Sequence, residues 1–198
     1  MMEALIIDSG GANLASLQFA FERLGARTRV SSDLREIASA ARVVLPGVGS
    51  ALDAMQRLRR SGIAEVLPTL RQPVLGICLG MQLLFEHSAE GGTDCLGVLP
   101  GTVRRLEVAR GRRVPHMGWN QLTPIREDPL LEGLEDGTYF YFVHSYAVAV
   151  REVTVAQVEY GEPLSAVVRQ GNFWGAQFHP ERSAAAGARL LGNFLRCS

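Results

Sequence analysis

The sequence predicts an α/β fold: a mainly parallel central sheet flanked by helices and extended by antiparallel strands. Three observations carry this. The short apolar runs Ala4–Asp8 and Pro73–Ile77 have the length and continuity of strands buried on both faces. In the first half, strand-like runs alternate with stretches of helical periodicity, as in parallel strands joined by helical crossovers. From Thr102 onward the chain becomes β-branched and aromatic, in segments close enough to pair as hairpins.

Ala4–Asp8 (ALIID) opens the sheet. Leu14, Leu17, Phe21 and Leu24 then recur at three- and four-residue steps, predicting a helix that Gly25 can end. Ala26–Ser31 and Arg42–Pro46 read as further strands, with Asp33 as N-cap of the helix between them. Ala51–Arg60 is amphipathic. Pro73–Ile77 is the next buried strand and runs into a helix over Met81–His87, where His87 would be a favourable C-terminal charge. Thr102–Val108, Thr138–Val148, Thr154–Tyr160, Leu164–Arg169 and Phe173–Phe178 supply the later strands, and Ala184–Arg196 is the last helix. No repeat, low-complexity tract or linker interrupts the pattern, so residues 1–198 are expected to form a single domain.

Hydrophobic residues make up 47% of the chain and charged residues 20%, enough for a full core without a disulfide or metal staple. Twenty basic residues balance 20 acidic ones, which leaves no electrostatic footprint for nucleic acid or an anionic membrane. Every basic residue is arginine, so Schiff-base and P-loop lysine chemistry are excluded. No signal or transit segment is visible ahead of the first strand, and no apolar run nears the roughly 20 residues that span a bilayer. Cys78, Cys95 and Cys197 are odd in number and lack metal-ligand spacing, so no metal site is expected and a reduced cytoplasm is favoured.

The chemistry concentrates at three strand ends. Gly76-Ile77-Cys78-Leu79-Gly80 lies between a buried strand and a helix, the cysteine counterpart of a nucleophile elbow. A lone cysteine is most often just buried, but here the turn projects the thiol from the sheet edge. There the start of the following helix favours thiolate, and the Leu79 amide can bind an oxyanion. A thiol also needs a base that can protonate a departing amine. His179, in Gln177-Phe178-His179-Pro180-Glu181, follows a strand; Pro180 keeps it out of helical geometry, and Glu181 can fix its tautomer. Val44-Leu45-Pro46-Gly47-Val48-Gly49 ends a third strand, and its glycines allow a backbone amide to face a developing negative charge.

P-G-x-G, G-x-C-x-G-x-Q and F-H-P-E in that order resemble the class I, triad-type glutamine amidotransferases. More narrowly, the chain is similar to the glutaminase subunits of imidazole glycerol phosphate synthase. That similarity rests on Asp8, Asn13, Pro46–Gly49, Pro115-His116-Met117-Gly118-Trp119-Asn120, Tyr141-Phe142-Val143-His144-Ser145-Tyr146 and His179–Ser183, which cover the chain end to end. The resemblance implies a Cys78, His179, Glu181 triad that hydrolyses glutamine, with oxyanion amides from Val48, after a peptide flip, and Leu79. It implies that Gly47, Gly49, Gln82, Glu90, Ser145 and Tyr146 cradle glutamine. Asn13, Trp119, Asn120 and Arg182 would face the partner, a (βα)8-barrel cyclase that receives the ammonia, with no metal or organic cofactor in either half. His116 and His144 are expected to be structural or interface groups. Ser9, Ala12 and Arg182 depart from the tyrosine, glycine and lysine usual at those places. A glutaminase subunit of another synthase, a stand-alone γ-glutamyl cysteine hydrolase and a catalytically silent interaction module remain as alternatives.

Overall fold

The computed structural model describes residues 2–10, 14–108 and 113–197. Its elements in chain order are β1 (Glu3–Ile7), α1 (Leu14–Glu22), β2 (Arg27–Ser31), α2 (Leu34–Ser39), β3 (Val43–Gly47), α3 (Ala51–Arg60), α4 (Ile63–Val66), β4 (Val74–Cys78) and α5 (Leu79–Leu83). These are followed by β5 (Phe85–Ser88), β6 (Thr93–Asp94), β7 (Leu99–Arg105), β8 (His116–Pro124), β9 (Thr138–His144), β10 (Tyr146–Ala147), β11 (Thr154–Glu159), β12 (Pro163–Gln170), β13 (Phe173–Ala176) and α6 (Ala184–Phe194).

Nine strands form one sheet in the order β2-β1-β3-β4-β13-β12-β11-β8-β9. The first five are mutually parallel and the remaining pairings are antiparallel. The continuous apolar runs have a direct cause. In β1, Ala4 and Ile6 enter the core on one face while Leu5 and Ile7 enter the core on the other. Leu17 and Phe21 of α1 and Leu190, Leu191 and Phe194 of α6 fill the first core. Ile37 of α2 and Ala54, Met55 and Leu58 of α3 fill the second. Asp33 caps α2 as expected, accepting from the amides of Arg35 (2.8 Å) and Glu36 (3.0 Å).

The strand expected over Thr138–Val148 is split at Ser145 into β9 and β10, which lie in different sheets, and two further segments differ from the sequence expectation. The helix expected over Met81–His87 is only the five residues of α5, and the chain turns into β5. The carbonyls of Leu83, Leu84 and Phe85, which a longer helix would use, instead accept from the amides of Leu96 to Leu99 at 2.8–2.9 Å. β5 thereby joins a second sheet of order β10-β7-β5-β6. His87 is therefore a strand residue, paired across to Asp94 with Nδ1 to Oδ1 at 3.1 Å, and not a helix-terminal charge. The other of these two segments is β8, which the sequence did not signal as a strand. Only His116 and Leu122 of its nine residues are buried, and its register is set by seven cross-strand pairs with β9 and three with β11.

One buried charge ties the far half together. Asp128 accepts from Trp174 Nε1 (3.0 Å) and the Leu130 amide (2.8 Å), and pairs with Arg169 at 3.1 Å. The Arg169 guanidinium in turn lies 4.5 Å over the Trp174 ring. Asp128→Ala leaves two buried donors and a cation without their acceptor. The expected loss is roughly 3–5 kcal/mol, read as a fall of about 10 °C in thermal unfolding midpoint for a chain of this size. A shift under 2 °C would show that water replaces the carboxylate.

Candidate active site

Three adjacent parallel strands, β3, β4 and β13, end at the same edge of the sheet. β3 delivers Gly47, Val48 and Gly49, β4 delivers Cys78, and the chain leaving β13 delivers His179. Cys78 has φ 54° and ψ −112°, a conformation that non-glycine residues rarely adopt. The strand–turn–helix packing imposes it. A Cβ at Gly80 would fall on the Leu45 carbonyl oxygen, one at Gly76 would lie 2.7 Å from the Gly80 oxygen, and one at Gly47 would lie 2.6 Å from the Gly80 nitrogen. The glycines thus let α5 sit against β3 and β4, which holds Cys78 at the elbow. With only five residues in α5, the helix charge expected at Cys78 is small, and the main positive group beside the thiol is His179.

His179 is fixed from several sides. Its amide donates to the Tyr141 carbonyl (2.9 Å), and its carbonyl accepts from Ser183 Oγ (2.7 Å). Ser183 Oγ accepts from the Tyr141 amide (3.0 Å), clamping the turn onto β9. His179 Nδ1 lies 2.8 Å from Glu181 Oε1, so Nδ1 carries the proton and Nε2 is left for Cys78. Burial works against charge on this imidazole. Hydrogen bonds and negative charge from Cys78 and Glu181 outweigh it and raise the pKa to about 10. The arrangement sets an imidazolium braced by a carboxylate against the Cys78 sulfur, so that the sulfur can attack a carbonyl carbon and the imidazolium can then protonate a leaving amine.

Cys78 and His179 open on a cavity of about 390 Å³, within the roughly 300–1,000 Å³ of small-molecule sites. Gly47, Val48, Gly49, Leu79, Gln82, Glu90, Ser145 and Tyr146 all line it. Gln82 Nε2 donates to the Tyr146 carbonyl (2.8 Å) and to Gln177 Oε1 (3.0 Å). Glu90 Oε2 accepts from the first amide of α3, that of Ala51, at 2.7 Å, which ties the cavity rim to that helix. Arg182, assigned to the partner side from the sequence, also lines this cavity. Trp119 is half exposed, at 52%, edge-on to Tyr141, and Asn120 lies on the neighbouring position of β8. Asn13 lies outside the described residues.

Sequence reasoning missed Val143 and His144 in the lining, and Gln177 behind it. Gln177 Nε2 lies 4.0 Å from Cys78 Sγ, and the thiol reaches the Val143 carbonyl at 3.8 Å. The only signal for them was position, one and two residues from Ser145 and two from His179. A larger hollow of about 780 Å³, lined between Pro124 and Leu134, contains no nucleophile or histidine and is too open to enclose a reaction. Among the described residues no three His, Cys, Asp or Glu side chains cluster as metal ligands.

A cysteine elbow beside a His–Glu turn on the next parallel strand is an amidotransferase arrangement. Residues 5–197 match the model of the glutamine amidotransferase class-I family, and the chain belongs to that family. Over 195 residues, 98% of both chains, it is 56% identical to the imidazole glycerol phosphate synthase subunit HisH of Xylella fastidiosa (strain Temecula1). The subunit of the same name from Xanthomonas campestris pv. campestris (strain 8004) is 56% identical over 198 residues, covering 100% of this chain and 99% of the relative. Among solved structures, a glutamine amidotransferase matches with TM-score 0.75 and 22% identity over 96% of each chain. PurLQS from Thermotoga maritima matches with TM-score 0.71 and 22% identity over 98% of each. At that identity the structures show a common fold.

Proposed function

We propose that the chain is the glutaminase subunit of an imidazole glycerol phosphate synthase, acting as one amidotransferase domain in the cytoplasm. The observation that carries the chemistry is the His179 imidazole, held by Glu181 at 2.8 Å with its other nitrogen toward Cys78 in a cavity of substrate size. Full-length identity of 56% to subunits of that name carries the pathway. No helix among the described residues is long and apolar enough to cross a membrane.

Cys78 Sγ attacks the side-chain amide carbon of glutamine, and the amides of Val48 and Leu79 hold the oxyanion. The His179 imidazolium gives its proton to the departing nitrogen, so the C–N bond breaks and ammonia leaves a glutamyl thioester. Water, deprotonated by His179, attacks the thioester; glutamate departs and the thiolate returns. Gly47, Gly49, Gln82, Glu90, Ser145 and Tyr146 surround the substrate. Ammonia passes to a (βα)8-barrel cyclase docked over Asn13, Trp119, Asn120 and Arg182, in a heterodimer. There it reacts with the phosphoribulosyl-formimino intermediate, giving imidazole glycerol phosphate and aminoimidazole carboxamide ribotide.

Glutamate release from glutamine, measured with this chain alone and then with the barrel subunit and an acceptor-site ligand, tests the assignment. Low release alone and a rise of at least about 100-fold in the complex are expected, corresponding to one oxyanion donor brought into place. High release by the chain alone, unchanged by the barrel, would instead identify a stand-alone hydrolase.

A further inference from the structure

Two buried histidines, His116 and His144, take no part in the chemistry above. Nδ1 of His144 lies 2.9 Å from the Tyr146 carbonyl, which can only accept, so this nitrogen carries the proton. In the neutral ring Nε2 is then a bare acceptor, and at 3.0 Å it faces Nδ1 of His116, which must donate. Nε2 of His116 is left bare and accepts from Asn120 Nδ2 at 3.3 Å. Asn120 is held in one orientation, because its Oδ1 accepts from the Gln121 amide (2.8 Å) and its Nδ2 also donates to the Glu159 carbonyl (3.0 Å). Both rings are neutral. Burial pushes His116 down to about 4, and burial together with the His116 and His179 rings pushes His144 down to about 3 against the pull of the Tyr146 carbonyl.

One protonation pattern therefore runs from Asn120 to Tyr146, and its far end is the glutamine cavity. The Tyr146 carbonyl accepts a second bond from Gln82, Gln82 donates on to Gln177, and the Gln177 amide faces Cys78. We propose that His116 and His144 are positioning residues: a one-way hydrogen-bond chain anchored at Asn120 fixes the Tyr146 carbonyl, and with it the Gln82 and Gln177 amides beside Cys78. The inference rests on the reading of this cavity as the glutamine site. Were the His144 tautomer reversed, its bare Nδ1 would meet the carbonyl lone pair to lone pair, and the carbonyl would have to turn and release Gln82. Turning the Asn120 amide would reverse both tautomers by the same logic.

The test is steady-state glutamate release in the complex with the barrel subunit for the wild type, His116→Phe and His116→Asn. The His116 ring is sandwiched between Tyr160 (3.9 Å between centroids) and Phe142 (4.9 Å). Phenylalanine keeps that stack and removes both hydrogen bonds, whereas asparagine restores a donor near Nδ1. His116→Phe is expected to raise KM for glutamine about tenfold with kcat within about threefold, and His116→Asn to recover most of the loss. An unchanged KM, with only a lower unfolding midpoint, would mean the pair is mere packing and would overturn the proposal. Imidazole ¹⁵N spectra of the full wild-type chain serve if the variant does not fold: both rings should carry their proton on Nδ1, and an Nε2-protonated form of either overturns the chain. If the wild-type complex releases no glutamate, the functional reading fails, and the spectra still decide the hydrogen-bond chain.

Discussion

Cys78→Ala is expected to lower glutamate release in the complex by at least about 10⁴-fold while glutamine still binds, because removing the nucleophile of a triad costs nearly all of the catalysis the triad supplies. The other thiols cannot substitute. Cys95 and Cys197 do not line the cavity, and burial pushes both thiols up, Cys95 to about 11. Serine at 78 is expected to be nearly as inactive, since an imidazole that already carries its proton has no lone pair free to take one from a hydroxyl, which is far less acidic than a thiol. Glycine separates chemistry from folding. At φ 54° it relieves strain of about 1 kcal/mol, so Cys78→Gly should unfold a few degrees higher while releasing no glutamate. A Cys78→Ala protein retaining more than about 1% of wild-type turnover would remove the cysteine from the proposed mechanism.

The elements that could be read from the sequence are those whose pattern is local. β1 and β4 are buried on both faces by neighbours on either side, so their apolar runs announced them, and Asp33 capped the helix it was expected to cap. The elbow at Cys78 and the turn at His179 could be read because an elbow needs Gly76 and Gly80, and because Pro180 puts His179 at a strand's end. β8 was not legible as a strand, since Gly118, Asn120 and Gln121 are poor strand formers and the pairing with β9 and β11 is what holds them. The same long-range pairing brings His116 opposite His144, so their contact had no local signature. α5 was overextended because an apolar run buried on every side reads alike as helix or strand, and amides of Leu96 to Leu99 decide between them. Arg182 was placed at the partner side by resemblance alone, and its position on the cavity rim, carried there by the turn that presents His179, had no separate signal in the sequence.

Glu181→Gln separates holding the imidazole from charging it. Glutamine keeps the size of the side chain and can still offer an oxygen to His179 Nδ1, but the negative charge is gone. That charge and its 2.8 Å hydrogen bond are two of the contributions that raise the His179 pKa to about 10 against burial, so the variant's value must fall. Turnover should drop by about 10³–10⁴-fold, the scale seen when the carboxylate of a triad becomes an amide. The alkaline limb of the pH–rate profile should also move to lower pH, because the imidazolium that protonates the departing amine disappears sooner. Stability carries the same sign. A folded-state pKa above the ordinary 6.5 contributes stability that is fully present below pH 6.5 and is lost as pH rises through about 10. The wild-type unfolding midpoint should therefore fall across that window, and the Glu181→Gln curve should be flatter. A variant whose alkaline limb and pH–stability slope both match the wild type would show that Glu181 only orients the ring, leaving the Cys78 thiolate to hold the charge on His179.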